Sequence, residues 1–274
     1  MIFASDLDRT LIFSESFLNE LQDKVYETRG KIVEETKRGY GMIYEPMDIF
    51  LEYMNNSSLV FIPCTARTKE QYKRLNLRVK PKYAIVENGC MILDSYGEPV
   101  PEYDKFIRNS LGIRLEEETQ YMLNEVEIVL NHYNMEGLAK VEQVKNSYVL
   151  VQPIYKNIGD LIEILDILNK HFQNLNLSDY SICVDKWKIY ITHSEISKAT
   201  ALKWIADKIW EQNIIAAGDT SMDEEMLNMA EYAIIPAHAT LSRKSIRSKK
   251  IEISSGMEGT KQMIIHILEC LSEL

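Results

Sequence analysis

The sequence predicts an α/β fold: a parallel sheet covered on both faces by helices, carrying an inserted α+β module. Three observations predict it. Short apolar runs stop abruptly at polar residues, as strands buried on both faces do. Helical patterns alternate with several of those runs, which implies parallel strands joined by crossovers. The middle of the chain changes to a helix–hairpin–helix–hairpin rhythm and so stands apart. Hydrophobic residues make up 46% of the 274 and charged residues 26%, the balance of a globular chain rather than a disordered one.

Taken in order, Ile2-Phe3-Ala4 forms a first strand that stops at Ser5-Asp6. Residues 31–36 and 40–44 flank Lys37-Arg38-Gly39 and read as an exposed β-hairpin near the end of that strand, either an ordinary surface insertion or a functional flap. A helix is expected over 46–54. A second strand, 58–63, ends at Cys64-Thr65-Ala66-Arg67, and a helix follows over 68–75. The third strand, 83–86, ends at Glu87-Asn88-Gly89.

The inserted module is next. It comprises a helix over 115–133, a hairpin of 141–145 and 148–152, a helix over 158–172, and a hairpin of 180–184 and 188–192. The parallel pattern resumes with a helix over 198–210, whose Leu202, Ile205, Ala206 and Ile209 share one face. A strand at 214–217 ends at Gly218-Asp219. A helix over 223–230, a strand at 232–235 and a helix over 259–271 complete the chain. The expected division is a core of 1–89 and 194–274 around a module of 90–193.

The chain carries 41 acidic and 31 basic residues, a net charge of −10. That sign repels a phosphate backbone, so broad nucleic-acid binding is excluded. No apolar run is long enough for a membrane span. The N-terminus has two aspartates and no basic region, unlike a secretory signal. Cys64, Cys90, Cys183 and Cys270 are scattered, which suits reduced thiols in a cytoplasmic protein.

Parallel sheets bind ligands beyond the carboxyl ends of their strands. Those ends carry Asp6, Asp8 and Thr10; Thr65 and Arg67; Asn88; and Asp219, Ser221 and Asp223. Four acids from two distant segments thus converge. Clustered carboxylates resist burial, and a divalent cation relieves them. An all-oxygen set suits Mg²⁺ better than zinc. Lys198, just after the plausible N-cap Ser197, opens a helix where an anionic oxygen is favoured. A cation, a lysine, a threonine hydroxyl and an aspartate nucleophile together make a phosphoryl-transfer site.

Asp6-Leu7-Asp8-Arg9-Thr10 resembles the D-x-D-x-T motif of the haloacid dehalogenase superfamily. Cys64-Thr65-Ala66-Arg67 resembles its second motif, Ser197-Lys198 its lysine motif, and Gly218-Asp219-Thr220-Ser221-Met222-Asp223 its acidic fourth motif. The resemblance spans nearly the whole chain. It implies a Rossmann-like core with a type IIB cap, α-β-β-α-β-β, introduced by Asn88-Gly89. The sucrose-phosphate phosphatase-like and Cof-like phosphatases share that cap.

The resemblance also implies roles. Asp6 attacks phosphorus and forms an aspartyl-phosphate. Asp8 protonates the leaving oxygen and then activates water. Asp6, the Asp8 carbonyl and Asp219 hold Mg²⁺. Asp223 holds Lys198 or a metal-bound water. Thr65 donates to a phosphoryl oxygen, Thr10 orients the loop, and Arg67 and Asn88 serve substrate. Arg9, Ala66 and Ala199 stand where glycine is usual, and Met222 where asparagine is usual. Arg9 either contacts substrate or points to solvent.

The resemblance therefore implies a Mg²⁺-dependent phosphatase of a small phosphorylated metabolite, with a sugar phosphate as the leading class. A phosphomutase using the same nucleophile and a non-catalytic phosphate-sensing or partner-binding protein remain as alternatives. The sequence contains no P-loop, and Gly39-x-Gly41 is no dinucleotide fingerprint.

Overall fold

The first strand, Ile2–Ser5 (β1), is buried at all four positions, as an unbroken apolar run requires. The computed structural model describes residues 1–37, 39–56, 59–175 and 179–273. Ser58 of the second expected strand and Arg38 of the expected hairpin turn lie outside the described residues.

After β1 the chain coils tightly and continues as Ile12–Ser14 (β2). Two short helices follow: Glu15–Glu20 (α1), capped by the Ser14 hydroxyl, and Val25–Arg29 (α2). Gly30–Thr36 (β3) pairs antiparallel with Gly39–Tyr44 (β4), and β4 also pairs with β2, giving a three-stranded sheet ordered β2-β4-β3. The hairpin expected to be exposed is therefore half-buried. Val33, Met42 and Ile43 enter the core cluster that also holds Phe3, Leu7 and Phe13.

Glu45–Asn55 (α3) returns the chain to Val60–Pro63 (β5). A capping box of Thr68 and Gln71 starts Lys69–Lys73 (α4). Tyr83–Val86 (β6) pairs antiparallel with Met91–Asp94 (β7). The third expected strand thus lies beside the main sheet rather than in it. Its backbone groups go to β7, and a parallel bridge from Cys64 to Ile85 links it to the end of β5.

The chain divides into two compact units, Met1–Val100 with Lys198–Leu274, and Pro101–Ser197. Residues 90–100 belong with the first, because the β6–β7 hairpin ties them there. The second unit runs Pro101–Asn109 (α5), Leu115–His132 (α6), Ala139–Val144 (β8), Tyr148–Pro153 (β9), Ile158–Asn174 (α7), Tyr180–Asp185 (β10) and Lys188–His193 (β11). Its antiparallel sheet is ordered β10-β11-β9-β8. Val149 and Val151 of β9 and Ile189 and Ile191 of β11 alternate along their strands, so they share one face. Met122, Val126, Val129 and Leu130 of α6, with Leu161, Ile164 and Leu168 of α7, complete that buried cluster at helical spacing.

The first unit closes with Lys198–Ile209 (α8), Ile214–Ala217 (β12), Glu224–Met229 (α9), Tyr232–Pro236 (β13), Lys249–Ile253 (β14) and Gly256–Ser272 (α10). Its parallel sheet is ordered β14-β13-β12-β1-β5. The last strand, β14, gave no apolar run, because Lys249, Lys250 and Glu252 keep this edge strand polar. Registration sets the site: Ser5 of β1 lies level with Ala217 of β12 and Pro63 of β5. The residues just beyond those three, Asp6, Gly218-Asp219 and Cys64-Thr65, therefore emerge side by side.

Buried Asp23 ties α10 to this core. Its carboxylate accepts from Met257 N at 2.6 Å and Val25 N at 2.9 Å, satisfying a helix N-terminus. Gly256 is held at φ +67°, where a Cβ would lie 2.3 Å from Asp23 Oδ2. Asp23→Ala is expected to cost about 1–2 kcal/mol, read as a thermal midpoint lowered by several degrees with the secondary structure retained.

Candidate active site

The loop after β1 positions the first two carboxylates. Asp6 N donates to Ala217 O at 2.9 Å, which anchors the start of the loop to β12. Leu11 N and Ile12 N both return to Leu7 O, at 2.9 and 2.7 Å. Arg9 adopts φ 67°, a left-handed conformation costly for a residue with a Cβ. Its surroundings hold it there: Arg9 N donates to Ile12 O at 2.7 Å, and His238 Nε2 lies 2.7 Å from Arg9 O. A carbonyl only accepts, so that contact places the His238 proton on Nε2. The ring stands edge-on to Phe13 and Phe17.

Lys198 is fully buried, at 1% exposure. Its Nζ reaches Asp6 Oδ1 at 2.6 Å and Asp223 Oδ1 at 2.7 Å. Burial opposes its charge, but the fields of Asp223 and Asp6 outweigh it and keep the ammonium protonated. Burial pushes the Asp6 carboxyl up to about 7; Lys198 opposes this rise, while Asp223 and Asp8 add to it. Asp223 uses its other oxygen to accept from Asp219 N, Thr220 N and Thr220 Oγ1 at 3.0–3.1 Å. It is the clamp that aims both the lysine and the turn carrying Asp219.

Carboxylate oxygens of Asp6, Asp219 and Asp223 fall within 4.8 Å of one another, all buried. An all-oxygen set this tight, around an Asp6 carboxyl whose burial disfavours its charge, fits a hard divalent cation. Both Asp223 oxygens are engaged within the protein. Asp6 gives one oxygen to Lys198, so its other oxygen, with Asp219, is what the cluster offers an ion. Arg9 supplies a protein cation at the same place, with Nε 3.2 Å from Asp219 Oδ2. Of the two expectations for Arg9, the structure departs from the solvent one: its side chain is 13% exposed and turned onto Asp219.

The expected substrate groups take different positions. Thr65 is fully buried, and its Oγ1 accepts from Arg67 N at 3.1 Å, leaving the hydroxyl proton to donate. Asn88 N donates to Thr65 O at 3.0 Å. The Asn88 side chain is buried, with Oδ1 lacking a hydrogen-bond partner, as is Thr10 Oγ1. Buried polar atoms left without a partner call for one, and a polar ligand can supply it.

Arg67, expected to serve substrate, is committed inside the protein. Its Nε and one terminal nitrogen each bond Asp8 at 2.8 Å, and the other terminal nitrogen bonds Glu34 at 2.6 Å. Burial opposes its charge, but Asp8 and Glu34 hold it protonated. Glu34 lies on β3 and also accepts from Arg74 at 3.2 Å.

The β3–β4 hairpin thus supports Asp8 through Arg67, and the Asp8 side chain is half-exposed. Sequence reasoning missed Glu34 and His238. The signal for Glu34 was an acid at an inward position; the strand register shifts between Ile32 and Glu34, so Val33 and Glu34 are both buried.

A sequence profile described as haloacid dehalogenase-like hydrolase matches residues 41–254. No curated protein sequence matches the chain. Among solved structures, the sucrose-phosphatase of Synechocystis sp. PCC6803, with sucrose and phosphate, is similar with a TM-score of 0.59 and 13% identity, over 97% of each chain. The C-terminal domain of the C. albicans trehalose-6-phosphate phosphatase is similar with a TM-score of 0.61 and 13% identity, over 100% of this chain and 92% of that one. A phosphatase of the haloalkanoate enzyme superfamily from Bacteroides thetaiotaomicron is similar at 0.54 and 16%, over 97% and 94%. At these identities the likeness is one of fold.

Proposed function

The chain belongs to the haloacid dehalogenase-like hydrolase family, and from that premise we propose that it is a Mg²⁺-dependent phosphatase acting on a small phosphorylated metabolite of the sugar-phosphate class. One observation carries the reading: Lys198 is buried between Asp6 and Asp223, with Asp219 in the same carboxylate cluster. The substrates named for the sucrose-phosphatase and trehalose-6-phosphate phosphatase structures support the substrate class.

In this reading the Asp6 oxygen not bonded to Lys198 attacks phosphorus and forms an aspartyl-phosphate. Splitting hydrolysis into two displacements lowers each barrier. Asp8 gives its proton to the leaving oxygen, then takes one from the water that cleaves the intermediate. Thr65 donates its hydroxyl proton to a phosphoryl oxygen, and Lys198 offsets charge shared by nucleophile and phosphate. Asn88 Oδ1 accepts from a substrate hydroxyl, and Thr10 steadies the loop. Asp6, Asp219 and the Asp8 carbonyl would hold Mg²⁺, which when bound would neutralise charge on the transferring group. The intact set of Asp6, Asp8, Lys198 and Asp219 argues for turnover rather than for binding alone.

The test is hydrolysis of a panel of phosphorylated metabolites and a generic aryl phosphate, with Mg²⁺ and with a chelator. Release of phosphate that needs Mg²⁺ and is strongest on sugar phosphates is expected. Equal rates with chelator, or no turnover of any panel member, would overturn the reading.

Within the same reading, Arg67 and Glu34 aim the acid–base carboxylate. Glu34→Gln removes the charge that holds Arg67 from behind and leaves Arg67 to move with Asp8. Displacements of this kind cost catalysis rather than binding. The expected result is kcat lowered about tenfold, KM little changed, and Glu34→Asp closer to wild type.

A further inference from the structure

We propose that Arg9 is a resident counter-cation of the metal site: it competes with the metal for Asp219, and when the metal arrives its guanidinium turns to hold the substrate phosphate. The proposal rests on the metal-dependent reading above and deepens it.

Three observations carry it. First, charge: the cluster brings three buried carboxylates, Asp6, Asp219 and Asp223, against Lys198. Lys198 lies on Asp6 and Asp223, and Arg9 Nε lies 3.2 Å from Asp219. A carboxylate at 1% exposure is costly without a partner; Arg9 offers Asp219 Oδ2 a charge at 3.2 Å without the geometry of a hydrogen bond, so that oxygen keeps an acceptor site for an ion. Second, backbone: Arg9 holds a left-handed conformation, fixed by Ile12 O on one side and His238 on the other. That strain is tolerated only where the surroundings over-determine it, and here it goes with a guanidinium set on Asp219. Third, reach: Arg9 is three residues from the nucleophile. A guanidinium displaced from Asp219 stays tethered beside the phosphorus that Asp6 attacks. Its planar fork suits a phosphate oxygen pair.

The exchange has a sign that a merely structural residue would not produce. A cation within a few ångströms of a bound divalent ion repels it, so removing Arg9 should tighten metal binding. The same removal deletes a phosphate ligand, so it should weaken anion binding once metal is present. Damage to the fold weakens both.

The experiment is calorimetric titration of the whole chain with Mg²⁺ alone, and then with inorganic phosphate at saturating Mg²⁺. Arg9→Gln, Arg9→Lys and Arg9→Gly are compared with wild type; glycine accepts the left-handed backbone without strain. Asp219→Asn serves as the control that the titrated site is the one described.

The expected result for Arg9→Gln and Arg9→Gly is Mg²⁺ bound about tenfold tighter and phosphate about tenfold weaker, a change of about 1.4 kcal/mol each way. Arg9→Lys should keep Mg²⁺ affinity near wild type, because it keeps the charge, and bind phosphate more weakly, because it lacks the fork. Mg²⁺ affinity unchanged or weakened in both Arg9→Gln and Arg9→Gly, while Asp219→Asn abolishes binding to wild type, overturns this proposal alone. So does unchanged phosphate affinity. Failure of wild type and all Arg9 variants to bind Mg²⁺ overturns the metal-dependent reading and this proposal with it.

Discussion

Asp6→Asn is expected to lower the Mg²⁺-dependent hydrolysis of an aryl phosphate on the order of 10⁴-fold, with the chain still folded. The amide keeps the shape of the carboxyl and an oxygen for Lys198 Nζ, which lies 2.6 Å from Asp6 Oδ1. It removes the nucleophile of the proposed mechanism. Groups that act as one unit lose nearly all their joint effect when one member is removed, and Asp6 touches the lysine of this site directly. Steady-state rates beside wild type make the measurement, with phosphoenzyme trapping as a second readout. A variant that hydrolyses as fast as wild type would remove Asp6 from the mechanism.

The same variant has a stability signature with a definite sign. Burial raises the Asp6 carboxyl from 3.8 to about 7. The folded, metal-free chain therefore binds a proton there that the unfolded chain has already lost. Between those two values stability falls as pH rises, because the unfolded state binds fewer protons. The contribution is fully present below pH 3.8 and is lost as pH passes about 7. Asp6→Asn cannot titrate and lacks that component. Thermal midpoints of metal-free wild type and Asp6→Asn should diverge in favour of the variant as pH rises from 4 to 7.

The clustered carboxylates Asp6 and Asp219 were legible because each follows an apolar run. A strand buried on both faces stays apolar up to its end, and Ser5 is the last residue of β1. Ser5-Asp6 and Gly218-Asp219 mark those ends in the sequence itself, and the registers of β1, β5 and β12 place them level. Helices with a periodic apolar stripe, such as α6 and α7, were legible for the same reason.

What escaped were elements whose burial depends on distant partners. The edge strand β14 shows lysines rather than a run. Strand β2 is three residues long and becomes a strand only by pairing with β4. Glu34 and His238 reach the site across 33 and 229 residues, and no local pattern encodes such a contact. Arg9 was visible as an unusual residue, but its partner Asp219 is decided by a backbone angle of 67°. Local chemistry is written in the sequence; the pairing of charges is written in the fold.

That pairing sets the second large effect. Lys198→Met is expected to destabilise the metal-free chain by about 3–5 kcal/mol and to abolish hydrolysis. Methionine matches the length of the lysine stem, so packing along α8 is largely kept. Only the charge goes, and it leaves Asp6 and Asp223 buried and facing each other, at 6% and 0% exposure.

Removing one partner of a buried ion pair costs more than the pair itself contributes, because the remaining charge stays desolvated. Two observations separate this cause from a simple packing defect. Neutralising a second member, in Lys198→Met with Asp6→Asn, should recover part of the loss, giving a coupling of about 1–3 kcal/mol. Mg²⁺ should raise the thermal midpoint of Lys198→Met more than that of wild type, because ligand stabilisation grows with affinity and the lysine no longer repels the ion. A double variant no more stable than Lys198→Met alone would mean that the lysine supports the fold by packing, and that the site's charge balance lies elsewhere.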